Sequence, residues 1–322
     1  MLFRSRPFLE ADLRSRSLDF ADLTATVGGG QRRSAGGGDM PDAELDLRRI
    51  RMMDARVNYR ATAVKANALN LRAVRLGVRL DNGLLVADPL AFGFGRGQLA
   101  GKVRLDARKA VPVTDLDLKL TGYRLENLIP ARFAGSLTGG VEGRFVLHGS
   151  GASMRRTVAS STGTIRLTSS GGEVRQAFAE LLGINVGKGL YLLLKKDPKR
   201  TPLRCAVADF NVQGGVARVN RMVIDTGVVT SRGEGAINLN SQTINLRLKG
   251  DSKKPRLLRL WAPITVQGPL AKPKLGVEGG AVAAQAGIAG ALGALVSPLA
   301  AVLPFVDPGG KDVNCQALLS GR

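Results

Sequence analysis

The chain has 322 residues, enough for one large or two medium domains with a real core, and its hydrophobic fraction of 44% is ordinary for a folded protein. A formal net charge of +21, from 47 Lys and Arg against 26 Asp and Glu, favours acidic partners such as anionic head groups, nucleic acid or an acidic protein. One histidine and two cysteines are too few for a metal centre of several His or Cys ligands at defined spacing, and they leave His148 as the single histidine for any Ser/His/Asp triad.

The opening stretch, Met1 to Pro7, has no long apolar run, so it is neither a signal peptide nor a membrane span; read literally, the chain starts in the cytoplasm. Residues 1–27 form a short N-terminal piece, and the glycine-rich stretch Gly28 to Gly38 places a flexible linker over 28–44. From residue 45 the dominant pattern is apolar-polar alternation, the signature of strands with one dry face. Val74, Leu76, Val78 and Leu80 share a face, with Arg75 and Arg79 on the other. Leu116, Leu118 and Leu120 repeat the pattern. Turn signals punctuate the runs at Asp81-Asn82-Gly83, Gly139-Gly140, Gly149-Ser150-Gly151 and Gly214-Gly215. His148 falls at a strand end, where a surface or half-buried structural role outweighs a catalytic one.

A segment from Glu173 to Leu194 begins as an amphipathic helix, with Val174, Ala177, Phe178, Leu181 and Leu182 at helical spacing, and runs into a basic loop at Lys195 to Pro202. Beyond it, Ile237 and Leu239 face Ile244, Leu246 and Leu248 across a hairpin turned at Asn240-Ser241-Gln242. The domain over 45–278 is thus β-rich, and its consistent dry face needs a cover: a sandwich partner, barrel closure or a bound apolar ligand. Trp261 reads as a core aromatic at the entry to the last strand. Residues 279–322 hold an uncharged Ala/Gly-rich run to Val306, long enough to span a bilayer but interrupted by Pro298 and Pro304, which favours a helix packed on the sheet. Basic residues lie mostly at alternate strand positions. Aromatics make up only 4% of the chain, so no stacking platform is interleaved with the charge, which argues against nucleic acid.

Several segments, in order, resemble the AsmA family. They are Asn82 to Val86 followed by Gly97 to Gly101; Gly163 to Leu167 leading into the Glu173 helix; Asp209-Phe210-Asn211-Val212-Gln213-Gly214-Gly215 followed by Asp225-Thr226-Gly227-Val228-Val229; Gly233 to Leu239 with Leu246 to Lys249; Pro263 to Leu270; and the cysteine-bearing tail Asp312 to Cys315. The resemblance runs from Arg48 onward. It implies a mainly β fold, with curved antiparallel sheet forming a groove or open sandwich, one short internal helix and a C-terminal Ala/Gly-rich helix. It also implies a non-enzymatic protein of the bacterial envelope, periplasmic and inner-membrane associated, tied to outer-membrane assembly or to protein targeting there. Phospholipid or another envelope lipid is the expected partner, held by the apolar strand faces named above, and no cofactor is expected. The family's N-terminal anchor is missing from residues 1–27, which points to a truncated chain. Cys205 and Cys315 both fall in family-like segments, so a disulfide between them and two free thiols both stand as readings.

Overall fold

The computed structural model describes residues 6–19, 46–66, 69–127, 135–183, 198–255, 263–278, 280, 288 and 309–321. The linker over 28–44, the basic pair Lys195 and Lys196, Trp261 and nearly all of the Ala/Gly-rich run lie outside these residues.

The alternating runs fold into one sheet of 15 strands. In chain order these are β1 (Phe8–Asp19), β2 (Asp54–Ala66), β3 (Leu69–Asp81), β4 (Leu84–Phe94), β5 (Gly97–Asp106), β6 (Val113–Arg124), β7 (Leu137–Ser150), β8 (Thr162–Ser169), β9 (Gly172–Arg175), β10 (Arg200–Gln213), β11 (Val216–Thr226), β12 (Val229–Asn238), β13 (Thr243–Ser252), β14 (Ile264–Pro269) and β15 (Lys274–Val277). Strands adjacent in sequence pair in space, β9 continuing the line of β8 between β7 and β10. Every pairing is antiparallel except β1 with β2, which run parallel, so the sheet is mixed. The order begins at β1 and ends at β15 without joining them, so among the described residues the sheet is open rather than a barrel or two stacked sheets. An open, right-twisted sheet of so many strands curls. Two strand glycines sharpen the bend: Gly163 and Gly235 sit at φ +139 and +120, where an added Cβ would lie 2.1 and 2.2 Å from the carbonyl oxygens of Val146 and Asn245 across the ladder.

Short turns carry the chain between strands. Asn82-Gly83 and Gly214-Gly215 each place both central residues at positive φ, the mirror-image turn that matches strand twist. The other two glycine signals are not turns. Gly139, Gly140 and Gly149 lie inside β7. There they allow close backbone approach: a Cβ on Gly149 would sit 2.3 Å from the Thr157 carbonyl oxygen.

The expected internal helix is present as α3 (Gln176–Gly183), which packs against β12 and β13, but it starts after Glu173 and Val174, which lie in β9, and the loop expected up to Pro202 ends at Arg200, where β10 begins. Among the described residues three more short helices join it: α1 (Leu47–Met52), α2 (Met154–Ala159) and α4 (Cys315–Ser320). Each has six residues, too few to print a helical period, yet each starts at a capping side chain: Asp46, Ser153 and Asn314 accept from the amides of Arg49, Arg156 and Ala317. The N-terminal piece is not separate from the rest, since β1 extends the sheet through β2.

Candidate functional site: the apolar face of the sheet

Residues directly opposite in a sheet point to the same side, so the register traces each face strand by strand. One row runs from Ala11 through Val57, Val78, Ala87, Val103, Leu116 and Leu147 to Gly163, Val212, Ala217, Ile237, Ile244 and Gly268. It crosses the sheet from β1 to β14 without a polar side chain. The rows beside it carry Leu76, Leu90, Leu118, Phe145, Ile165 and Phe210, then Leu246 and Val266. The other face is charged: Glu10, Arg56, Arg79, Arg104, Asp115 and His148 share a row broken only by Val86.

All of the groove residues expected from alternation fall on this one dry face. Val74, Leu76, Val78 and Leu80 come from β3, Leu116, Leu118 and Leu120 from β6, and Ile237, Ile244, Leu246 and Leu248 from the β12–β13 hairpin. Leu239 follows β12 and packs with Phe210, Val212 and Ala217. Leu80, Leu120, Leu246 and Leu248 are buried, whereas Val74, Leu76, Val78, Leu116, Leu118, Ile237, Leu239 and Ile244 are only half-buried. A closed core leaves such side chains dry on all sides; here the band stays partly open to solvent. It is open at its margins too: Leu9 and Leu13 on β1 are 48% and 51% exposed, and Leu275 and Val277 on β15 are each 46% exposed.

The charged face is held by cross-strand ion pairs. Arg104 reaches Asp115 at 3.2 Å, Arg144 reaches Asp117 at 2.6 Å, and Arg221 donates two bonds to Asp209. His148 pairs with Asp115 through Nδ1 at 2.6 Å on the exposed surface, which accounts for it without catalysis. That contact, with help from Arg104, holds the Asp115 carboxyl below the usual carboxylate value.

The same face is covered at one place by the C-terminal tail. Cys205 and Cys315 are disulfide-bonded, with their Cα atoms 5.8 Å apart, so the bond ties α4 to β10. Leu318 packs beside it against Cys205, Val207 and Val223. Arg166 donates to the carbonyls of Leu318 and Leu319 at the end of α4. A buried charge cluster sits alongside: Asp225, fully buried, accepts from Thr230 at 2.6 Å and pairs with Lys253 at 2.7 Å and Arg204 at 3.3 Å. Asp312 of the tail pairs with the same two cations, and Lys253 first, then Arg204, lowers its carboxyl below the usual value. Sequence reading missed this cluster, although Asp225 and Asp312 stood in the segments that carried the resemblance. Thr226 explains the next residue of one segment: its hydroxyl donates to the Val229 carbonyl and accepts from the Val229 amide, closing the β11–β12 turn. Cys205, Cys315 and Asp225 come close enough to suggest a metal site, but both sulfurs are consumed by the disulfide.

A family model described as the AsmA family matches residues 3–222. The chain belongs to the AsmA family. The match begins before β1, which widens the resemblance seen from Arg48 onward and brings the N-terminal strand into it. The AsmA family protein YhjG of Escherichia coli K12 is 27% identical over 337 residues, covering 98% of this chain and 49% of the relative, so the chain spans about half the length of the curated relative it matches. No solved structure matches it. Membership supports a place in the cell envelope, and AsmA is not known as an enzyme family. Among the described residues no helix is long and apolar enough to cross a membrane.

Proposed function

We propose that this chain is a non-enzymatic envelope protein that binds lipid acyl chains along the apolar face of its sheet, in support of outer-membrane assembly. The observation that carries this reading is the uninterrupted apolar row from Ala11 to Gly268 on an open sheet, with most of its neighbours only half-buried. Each methylene moved from water onto such a surface gains about 0.8 kcal/mol, so an acyl chain needs no catalytic or strongly polar group to be held. The periplasmic, inner-membrane-associated location is carried over with the family. Mass spectrometry of organic extracts of the purified protein, together with uptake of a fluorescent phospholipid, tests the reading. Co-purifying phospholipid and saturable uptake are expected; extracts free of lipid with no uptake would count against it.

A second reading, an interaction module acting in protein targeting, draws on the two outermost strands. Among the described residues β1 and β15 each pair with a strand on one side only and carry exposed leucines, the arrangement used for strand addition. In-cell crosslinking from these edge strands separates the readings, since a scaffold traps protein and a conduit traps lipid.

A further inference from the structure

Near one end of β1 to β6 the charged face holds a cleft of about 1060 Å³ whose charged lining is entirely arginine: Arg14, Arg60, Arg72, Arg75 and Arg96. Three of these are directly opposite one another, Arg14 against Arg60 and Arg60 against Arg75, on three successive strands. Like charges in that relation repel at about 5 Å between Cβ atoms. Elsewhere on this face several arginines have carboxylates across the ladder, as Arg104 has Asp115 and Arg144 has Asp117, and the opposed pair Arg56 and Arg79 has Glu10 beside Arg56. In the cleft, Arg60, Arg75 and Arg96 have no ion pair among the described residues, Arg72 donates only to the Gly95 carbonyl, and Arg14 reaches only the exposed Asp12 of its own strand at 3.7 Å.

The backbone is also unusual here. Pairing of β2 with β3 skips Thr62 and Ala73, and Ala73 holds φ +48, a conformation that costs a side-chain-bearing residue. Both residues line the cleft. So do Ala61 and Val74, which face each other on the apolar side of the same two strands, so the irregularity brings the arginines to the border of the dry band.

We infer that this cleft is a phosphate site, selective for ligands bearing two or more negative charges. Guanidinium groups donate paired hydrogen bonds to phosphate oxygens, and an anion among them relieves their mutual repulsion. The anion site stands on the arginines alone. Its assignment to the head group of an anionic phospholipid, with the acyl chains passing to the apolar band, rests on the function proposed above.

The test uses the full chain and three soluble probes: dihexanoylphosphatidic acid, dihexanoylphosphatidylcholine and pyrophosphate, titrated calorimetrically. The variant Arg60→Gln/Arg75→Gln removes two of the three opposed arginines. Lys119→Gln/Arg218→Gln removes the same charge from exposed positions on the same face. Phosphatidic acid is expected to bind more tightly than phosphatidylcholine and to weaken about tenfold or more in the first variant only. Because the substitution removes like-charge repulsion, that variant is expected to melt no lower than the natural chain, which separates loss of a site from loss of the fold. Pyrophosphate binding that depends equally on the arginines, with no gain from acyl chains, supports the anion site with free phosphate as its ligand and sinks the lipid assignment. Equal affinity for the two lipids, an undiminished affinity in the first variant, or equal losses in both variants overturns the inference. Uptake of an uncharged fluorescent diacylglycerol by the first variant then reports separately whether the apolar groove stands.

Discussion

Replacing both cysteines by alanine, Cys205→Ala/Cys315→Ala, isolates the contribution of the covalent tie between α4 and β10. The cysteines are 110 residues apart in sequence. In the chain-entropy account, releasing a loop of about that length from the unfolded ensemble costs about 5 kcal/mol of stability. A chain of 322 residues unfolds with an entropy of roughly 0.7 kcal/mol/K, so the expected fall in Tm is about 7 °C. The native tail keeps its other anchors: Leu318 against Val207 and Val223, Arg166 on the last carbonyls of α4, the Gly310 amide on the Ser252 carbonyl, and Asp312 on Lys253 and Arg204. The variant is therefore expected to fold with the tail docked, and differential scanning calorimetry alongside hydrogen exchange over residues 315–320 measures both effects. A Tm within about 1 °C of the natural chain, or full exchange of the α4 amides at temperatures where the sheet is intact, would refute the reasoning.

The two classes of apolar-face residue separate by truncation. Leu248→Ala, at a buried position, is expected to cost about 2–4 kcal/mol in urea denaturation, and Ile237→Ala, half-buried, markedly less; equal losses would mean that the band is a closed core. Gly235→Ala forces a Cβ against the Asn245 carbonyl oxygen at φ +120 and is expected to cost more than about 1 kcal/mol, which the same denaturation curves measure. Acid is expected to loosen the tail and the sheet. Arg108 holds the Asp106 carboxyl well below the usual carboxylate range, and Lys253 lowers that of Asp312. A carboxyl with a lower pKa folded than unfolded contributes in full above its unfolded pKa, and that contribution is lost as the pH falls through the folded one. Melting scans between about pH 6 and pH 2 should show the loss, and Asp312→Asn should show a shallower acid dependence.

Much of the architecture was legible because a sheet with one dry face writes a period of two into its sequence. Val74 to Leu80 and Leu116 to Leu120 alternate cleanly, and both runs are strands whose leucines share the dry side. Strand glycines were misread where the backbone needed closeness rather than a turn, as at Gly149 under α2, because composition alone does not distinguish the two needs. The parallel pairing of β1 was hidden by the long connection before β2. The charge cluster that joins buried Asp225 to Lys253, Arg204 and the exposed Asp312 draws on four distant points of the chain, and no local spacing signals it. The arginine cleft was equally silent, since its members read one by one as the wet sides of strands and only the register sets them opposite each other.

The central claim is that the apolar face holds acyl chains, and site-specific photocrosslinking in intact envelopes tests it most directly. A photoreactive residue at Leu118 or Ile244, on the dry face, should yield lipid adducts, whereas the same residue at Lys119 or Asn245, one step along and on the opposite face, should not. Lipid adducts at all four positions, or at none, would contradict the account.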